Sequence, residues 1–130
     1  LLACEGGIVF YYDLGAKKLS KEEALHKDRI YDIAVYENRL LTGTPERKAR
    51  YFDGVKETWY DTRFPVYKVA LNSDIGAFSK EKSIVIIDKN GKEIKEIPYT
   101  GTLLTDLEFL PNGELVGAGY DNNLYFWEAK

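Results

Sequence analysis

The single histidine, His26, is the residue most suited to chemistry, because an imidazole can act as a general base or bind a metal ion. Zinc sites need several His or Cys ligands close together, and the one cysteine, Cys4, stands far from His26 in the sequence. A G-x-S-x-G nucleophile sequence and a G-x-x-x-x-G-K phosphate-binding sequence are both absent. The sequence therefore predicts no catalytic residue, no metal site and no cofactor, and the protein is expected not to be an enzyme.

The composition is that of a soluble globular protein. The chain has 130 residues, 45% of them hydrophobic, and carries 18 Lys and Arg against 21 Asp and Glu, a net charge of −3. This charge balance does not favour binding to nucleic acid or to an acidic membrane surface. One cysteine excludes an internal disulfide framework, and the apolar runs are too short to span a membrane. We therefore expect a soluble, cytoplasmic protein without nucleic-acid or membrane partners.

An internal repeat organises the chain. Its clearest members are short apolar segments that align without gaps and end in an acid: Ile8–Asp13, Lys48–Asp53, Ser83–Asp88 and Asn123–Glu128. The closing acids are 40, 35 and 40 residues apart. This spacing is typical of a unit of four short strands.

Two further sets of segments share the same period. One set has apolar residues at its first, fourth and sixth positions, namely Ile30–Val35, Val66–Leu71 and Leu104–Phe109. The other set is rich in small residues and begins at Leu1, Leu40, Ile75 and Leu115. Asn90-Gly91 and Asn112-Gly113 are pairs that favour tight hairpin turns. The segment 17–28 has good helix formers, but it falls where the repeat requires a strand.

Several predicted strands are apolar at successive positions, as in Ile84–Ile87, which indicates burial on both faces of a sheet. Radially packed blades would bury strands in this way. We therefore predict an all-β fold, a β-propeller of four-stranded antiparallel blades that forms an incomplete ring. Residues 1–25 end the first blade, 26–61 and 62–99 form the second and third, and 100–130 form a last blade without its outer strand. The rest of the ring would come from the same longer protein or from another chain.

The repeat resembles the WD-repeat family. At the place of that family's Trp-Asp pair stand Tyr12-Asp13, Phe52-Asp53, Ile87-Asp88 and Trp127-Glu128, and His26 stands four residues before Ile30. The resemblance implies that His26 belongs to a structural hydrogen-bond group that fixes a loop. The residues implied for such groups are His26, Thr44, Glu46 and, in the last repeat, Asp121.

The expected function is non-enzymatic binding of a peptide or partner domain on the loop face of the propeller, because rigid scaffolds commonly present binding loops. The phase of the repeat selects as contact residues Lys27, Asp28, Arg29, Arg47, Arg63, Phe64, Lys80, Tyr120 and Asn122. The alternative is a small-ligand or glycan-binding propeller, a lectin or an enzyme, with its site at the axial mouth. Its polar candidates are Tyr31, Asp32, Tyr67, Lys68, Asp106 and Glu108.

Overall fold

The computed structural model describes residues 2–3, 8–13, 15–24, 30–99, 101 and 103–129. The predicted all-β fold is confirmed, since the regular structure of these residues consists of strands. Within the same residues no helix has the length and apolar character needed to cross a membrane. The strands are β1 Leu2–Ala3, β2 Ile8–Asp13, β3 Lys18–Ala24, β4 Asp32–Tyr36, β5 Arg39–Gly43, β6 Lys48–Phe52, β7 Glu57–Asp61, β8 Val69–Leu71, β9 Ile75–Ser79, β10 Ser83–Asp88, β11 Glu93–Pro98, β12 Leu104–Phe109, β13 Glu114–Gly119 and β14 Leu124–Glu128.

The strands form four separate antiparallel sheets, each built from consecutive strands. Sheet I contains β1–β3, sheet II β4–β7, sheet III β8–β11 and sheet IV β12–β14. Strand β3 occupies part of the segment with helix-forming residues, because pairing along β2 outweighs local helix propensity. Gly91 and Gly113, the second residues of the two Asn-Gly pairs, have φ values of 89° and 90° in their turns.

The expectation of a propeller made of four-stranded blades is wrong. Sheets I and IV have three strands each, only sheets II and III have four, and the described strands form open sheets that do not close into a ring. The repeat period fixes how many residues separate equivalent strands. It does not fix how many strands each sheet contains or whether the sheets close, because both depend on contacts between residues far apart in sequence.

Sheet III lies at the centre of the packing, and strand β10 is buried on both of its faces. Ile84 and Ile86 belong to a core cluster shared with Leu107 and Leu115 of sheet IV. Val85 and Ile87 belong to a second cluster, which contains Leu41, Ala49 and Tyr51 of sheet II. The run of four apolar residues in β10 thus serves two interfaces, as the absence of alternation in the sequence predicts.

Neighbouring sheets also meet along their first strands. Strand β4 lies beside β8, and β8 lies beside β12. Asp32 of β4 accepts a hydrogen bond from the Val69 amide of β8, with 3.0 Å between Oδ2 and N. This alignment brings the loops that precede β8 and β12 to one end of the sheets.

Ile86→Ala tests the packing between sheets III and IV. Ile86 is completely buried, so its truncation should lower the free energy of unfolding by about 2–5 kcal/mol through lost burial and a residual cavity. The matched control is Ile94→Ala, because Ile94 of β11 is 48% exposed and should lose far less. Urea denaturation measures both changes. Equal losses for the two variants would show that sheets III and IV do not share a packed core.

Candidate binding site

Three connecting segments enclose a cleft of about 310 Å³ at one end of sheets II, III and IV. They are the segment between β7 and β8, the turn between β9 and β10, and the segment between β11 and β12. The lining residues are Phe64, Pro65, Tyr67, Ser79, Lys80, Glu81, Tyr99, Gly101, Leu103 and Leu104. The cleft therefore depends on sheet packing for its shape, since its walls come from separate parts of the chain.

Backbone hydrogen bonds hold the segment before β8 against sheet II. The Val66 amide donates to the Thr44 carbonyl at 2.9 Å, and the Thr62 amide donates to the Arg47 carbonyl at 3.0 Å. The Thr62 hydroxyl donates to the Phe64 carbonyl at 2.5 Å. Phe64 is thus presented by a backbone fixed on both sides, although its side chain is 39% exposed.

The wall formed by sheet III has a buried hydroxyl and an exposed ion pair. Ser79 is 5% exposed, and its Oγ accepts a hydrogen bond from the Lys68 amide at 3.1 Å. The Lys80 Nζ lies 3.7 Å from a carboxylate oxygen of Glu96. Because this pair is solvent-accessible, it contributes little to stability and leaves Lys80 able to contact a ligand.

Aromatic rings form much of the remaining wall. Tyr67 stacks on Tyr31 with 5.0 Å between ring centroids and an interplanar angle of 10°. Tyr99 contacts the rings of Tyr125 and Trp127 edge to face, at centroid distances of 5.1 and 5.9 Å. Such mutually packed rings give a rigid apolar surface with hydroxyl groups at its margin.

A glycine permits the close approach of the tyrosines at this end. A Cβ placed on Gly101 would lie 2.7 Å from the hydroxyl oxygens of both Tyr99 and Tyr125. Any larger residue would have to displace one of the rings. Gly101 therefore keeps the cleft open beside Tyr99.

The structure places two of the predicted contact residues, Phe64 and Lys80, in the wall of this cleft. Arg63 precedes Phe64, is exposed and has a φ of 63°. Arg47 is exposed in the turn between β5 and β6, and its carbonyl holds Thr62 in place. These residues thus lie in or next to one loop cluster.

Two more predicted contact residues occupy the turn between β13 and β14. Tyr120 is 69% exposed, and its amide donates to the carbonyl of the cleft residue Leu103 at 3.2 Å. Asn122 is exposed and has a φ of 65°, as the tight turn requires. The other predicted contact residues, Lys27, Asp28 and Arg29, lie outside the described residues, as does His26.

The residues proposed for structural hydrogen-bond groups lie in two different turns. Thr44 is completely buried; its hydroxyl donates to the Lys48 carbonyl at 3.0 Å and accepts from the Glu46 amide at 3.2 Å. Asp121 accepts from the Asn123 amide at 3.0 Å and from the Tyr125 hydroxyl. Both residues stabilise the turns in which they stand, and Asp121 also orients an aromatic side chain next to the cleft.

Two acids among the small-ligand candidates, Asp32 and Asp106, accept hydrogen bonds from backbone amides. The second carboxylate oxygen of Asp32, Oδ1, accepts from the Ile33 amide at 2.9 Å, and Oδ2 accepts from Val69. Burial raises the pKa of Asp32, although these hydrogen bonds and the charge of Lys68 oppose the increase. In the part of the chain that the structure describes, no cluster of His, Cys, Asp or Glu could hold a metal ion.

Sequence reasoning did not select most of the lining residues, namely Pro65, Ser79, Glu81, Tyr99, Gly101, Leu103 and Leu104, nor Gly43, which contacts Val66. Tyr99 and Leu103 flank the connection from β11 to β12, which has the same phase as the predicted connection from β7 to β8. The position of this connection in the repeat could therefore have identified Tyr99 and Leu103 from the sequence. Gly43 gave no such signal, because a close approach to a distant residue is not visible in a linear pattern.

No family model matches the sequence, and no curated protein matches it either. Among solved structures, the chain is similar to the computationally designed Ika4 protein. The TM-score is 0.78 at 15% sequence identity, and the match covers 96% of this chain and 81% of that chain. The likeness concerns the fold alone, and nothing in these comparisons indicates WD repeats.

Gly43→Ala tests how the cleft segment is positioned. An added Cβ would lie 2.6 Å from the Val66 carbonyl oxygen and 2.7 Å from a Val66 methyl carbon. The carbonyl oxygen belongs to the backbone, so a side-chain rotation cannot relieve this clash. We expect the free energy of unfolding to fall by about 1–3 kcal/mol, because the segment before β8 must move. Urea denaturation measures this loss. Unchanged stability would show that the Val66 segment adapts freely.

Tyr125→Phe tests the contact between Asp121 and Tyr125. The hydrogen bond from the Tyr125 hydroxyl is the main reason that the pKa of Asp121 lies below its usual value of 3.8. A lowered folded-state pKa contributes stability above the unfolded-state value, and this contribution is lost as the pH falls through the folded-state pKa. Tyr125→Phe should therefore lose less stability than the parent protein as the pH falls from 3.8 through the folded-state pKa of Asp121.

Urea denaturation at a series of pH values measures this difference. Asp121→Asn is the matched control, because it removes the titrating group. It should also reduce the fall in the free energy of unfolding at acid pH. If Tyr125→Phe retained the full acid dependence of the parent protein, the hydroxyl would not be what lowers the pKa of Asp121.

Proposed function

We propose that the protein is a non-enzymatic binding module that takes a peptide or a partner domain in the cleft between sheets II, III and IV. The observation that carries this proposal is the position of Phe64, a 39%-exposed aromatic side chain on a fixed backbone at the wall of an apolar cleft. Aromatic side chains in such positions commonly dominate the binding energy of protein interfaces.

The size and composition of the cleft favour side chains of a partner over a large ligand. A volume of about 310 Å³ lies at the lower limit of small-molecule sites and accommodates one or two side chains. The Phe64, Tyr67 and Tyr99 rings offer apolar surface, while Lys80 and Glu81 at the margin can form polar contacts. An apolar centre with a polar rim is the usual anatomy of a protein interface.

The positions of Tyr120, Arg63 and Arg47 extend the surface beyond the cleft. All three are exposed, and hydrogen bonds link the Arg47 and Tyr120 backbones to segments that form the cleft. A partner anchored at Phe64 would therefore meet further aromatic and guanidinium groups nearby, both of which are enriched in interfaces.

The small-ligand alternative has weaker support. Its best acid, Asp32, has both carboxylate oxygens occupied by backbone amides, which suits a structural role. The stacked pair Tyr31 and Tyr67 offers aromatic surface for a sugar ring, and specific binding on a glycan array would favour this alternative.

Selection from a displayed random-peptide library tests the proposal. Bound peptides should share an apolar anchor residue. Phe64→Ala should raise their dissociation constant at least about tenfold, which is the loss expected for an interface hot spot. Lys80→Ala should weaken it by a smaller factor, because its ion pair is exposed. Fluorescence anisotropy with the selected peptides measures both effects.

Tyr36→Ala is the matched control. Tyr36 is 37% exposed, close to the exposure of Phe64, but it borders a separate cleft formed with the turn after β8. Its truncation should leave peptide binding unchanged. Enrichment of no peptide, together with specific binding on a glycan array, would contradict the proposal and favour the small-ligand alternative.

A further inference from the structure

The outer face of sheet IV, formed by Val116, Ala118, Leu124 and Phe126, carries exposed apolar side chains. Leu124 is 65% exposed and Phe126 is 57% exposed. On β13, Val116 pairs directly with Phe126 and Ala118 with Leu124, so the four residues share one face. The alternate residues of β14 pack against sheet III.

In sheets II and III, the equivalent face is covered by the sheet that follows. Tyr51 of β6 and its cross-strand partner Leu41 are 1% and 0% exposed against sheet III. Ile86 of β10 and its partner Ala77 are both completely buried against sheet IV. Phe126 holds the position of Tyr51 and Ile86 in the aligned third strands. The equivalent residues of sheet IV therefore form a similar apolar face that is exposed to solvent.

The interface between sheets II and III shows how the covering sheet is placed. The Tyr51 hydroxyl donates to the Lys89 carbonyl at 2.7 Å, and the Tyr60 hydroxyl donates to the Gly91 carbonyl. Sheet II therefore receives, on its third and fourth strands, the turn between the third and fourth strands of sheet III. In sheet I the equivalent turn is residues 15–17, between β2 and β3, and its described residues are exposed.

Charges select the kind of sheet that could cover this face. Asp106 pairs directly with Ala118 and Glu108 with Val116, and Glu114 pairs with Glu128. Four carboxylates therefore border the apolar centre. The exposed turn of sheet I ends with Lys17, and the exposed Lys18 follows it as the first residue of β3. Two outer faces of sheet IV placed against each other would oppose like charges, whereas sheet I brings opposite charges to the glutamates.

We propose that the outer face of sheet IV binds sheet I of a second copy of this chain. Sheet I has an exposed turn at the position of the turn by which sheet III covers Tyr51 of sheet II. The turn of residues 15–17 of the second copy would cover Phe126, with Lys17 and Lys18 close to Glu114 and Glu128. The contact is head to tail, because the two copies use different surfaces.

Sedimentation equilibrium of the full chain over a wide concentration range tests this proposal. The mass should rise above the 14.9 kDa of one chain as concentration increases. Phe126→Glu should raise the dissociation constant at least about 30-fold, as expected for a buried aromatic anchor. The double variant Lys17→Glu/Lys18→Glu should also weaken association, because it places like charges against the glutamates.

Mixing the two variants distinguishes head-to-tail from face-to-face association. Phe126→Glu keeps an intact sheet I, and the lysine double variant keeps an intact outer face of sheet IV. An equimolar mixture should therefore form a one-to-one dimer even though each variant alone stays monomeric. Val55→Glu is the control, because Val55 is a 92%-exposed apolar residue elsewhere, and this change should leave the mass unchanged.

Two results would overturn the proposal. One is a parent protein that remains monomeric at every concentration. The other is an assembly that Phe126→Glu abolishes but the lysine double variant does not affect, with no dimer in the mixture, since this would show face-to-face contact. Circular dichroism of each variant must match the parent spectrum, so that loss of folding is not read as loss of association.

Discussion

Burial of sheet faces against neighbouring sheets is the constraint on which this structure depends. A strand such as β10, apolar at four successive positions, cannot be stable with either face in water, because both faces carry large aliphatic side chains. Sheet III meets this requirement by packing on sheet II with Val85 and Ile87 and on sheet IV with Ile84 and Ile86. Sheet III is therefore stabilised by contacts with both of its neighbours.

The same packing creates the candidate binding site. Because first strands lie side by side, the segments that precede β8 and β12 meet at one end of the sheets. Their backbones are fixed by hydrogen bonds to adjacent sheets, so exposed residues such as Phe64 and Tyr120 are held in place without being buried. A binding surface of this kind loses little conformational entropy when a partner binds.

Three of the connections at the cleft end of the sheets contain residues with unfavourable backbone conformations. Arg47, Arg63 and Asn122 adopt left-handed backbone conformations, which are unfavourable for residues other than glycine. Each stands in a tight connection at the same end of the sheets as the cleft. The strain is offset by the sheet hydrogen bonds that these connections permit, and the positions remain free for exposed polar side chains.

The all-β fold could be predicted from the sequence, since apolar runs, their period and Asn-Gly turns are local properties. The sequence pattern also selected Phe64 and Lys80, which line the cleft, because equivalent phases of a repeat share an end. It failed on the propeller of four-stranded blades, and it did not identify Gly43, whose importance depends on contact with Val66. The number of strands per sheet, the open arrangement and the cleft could be seen only in the folded protein. They depend on contacts between distant residues, which a periodic pattern does not encode.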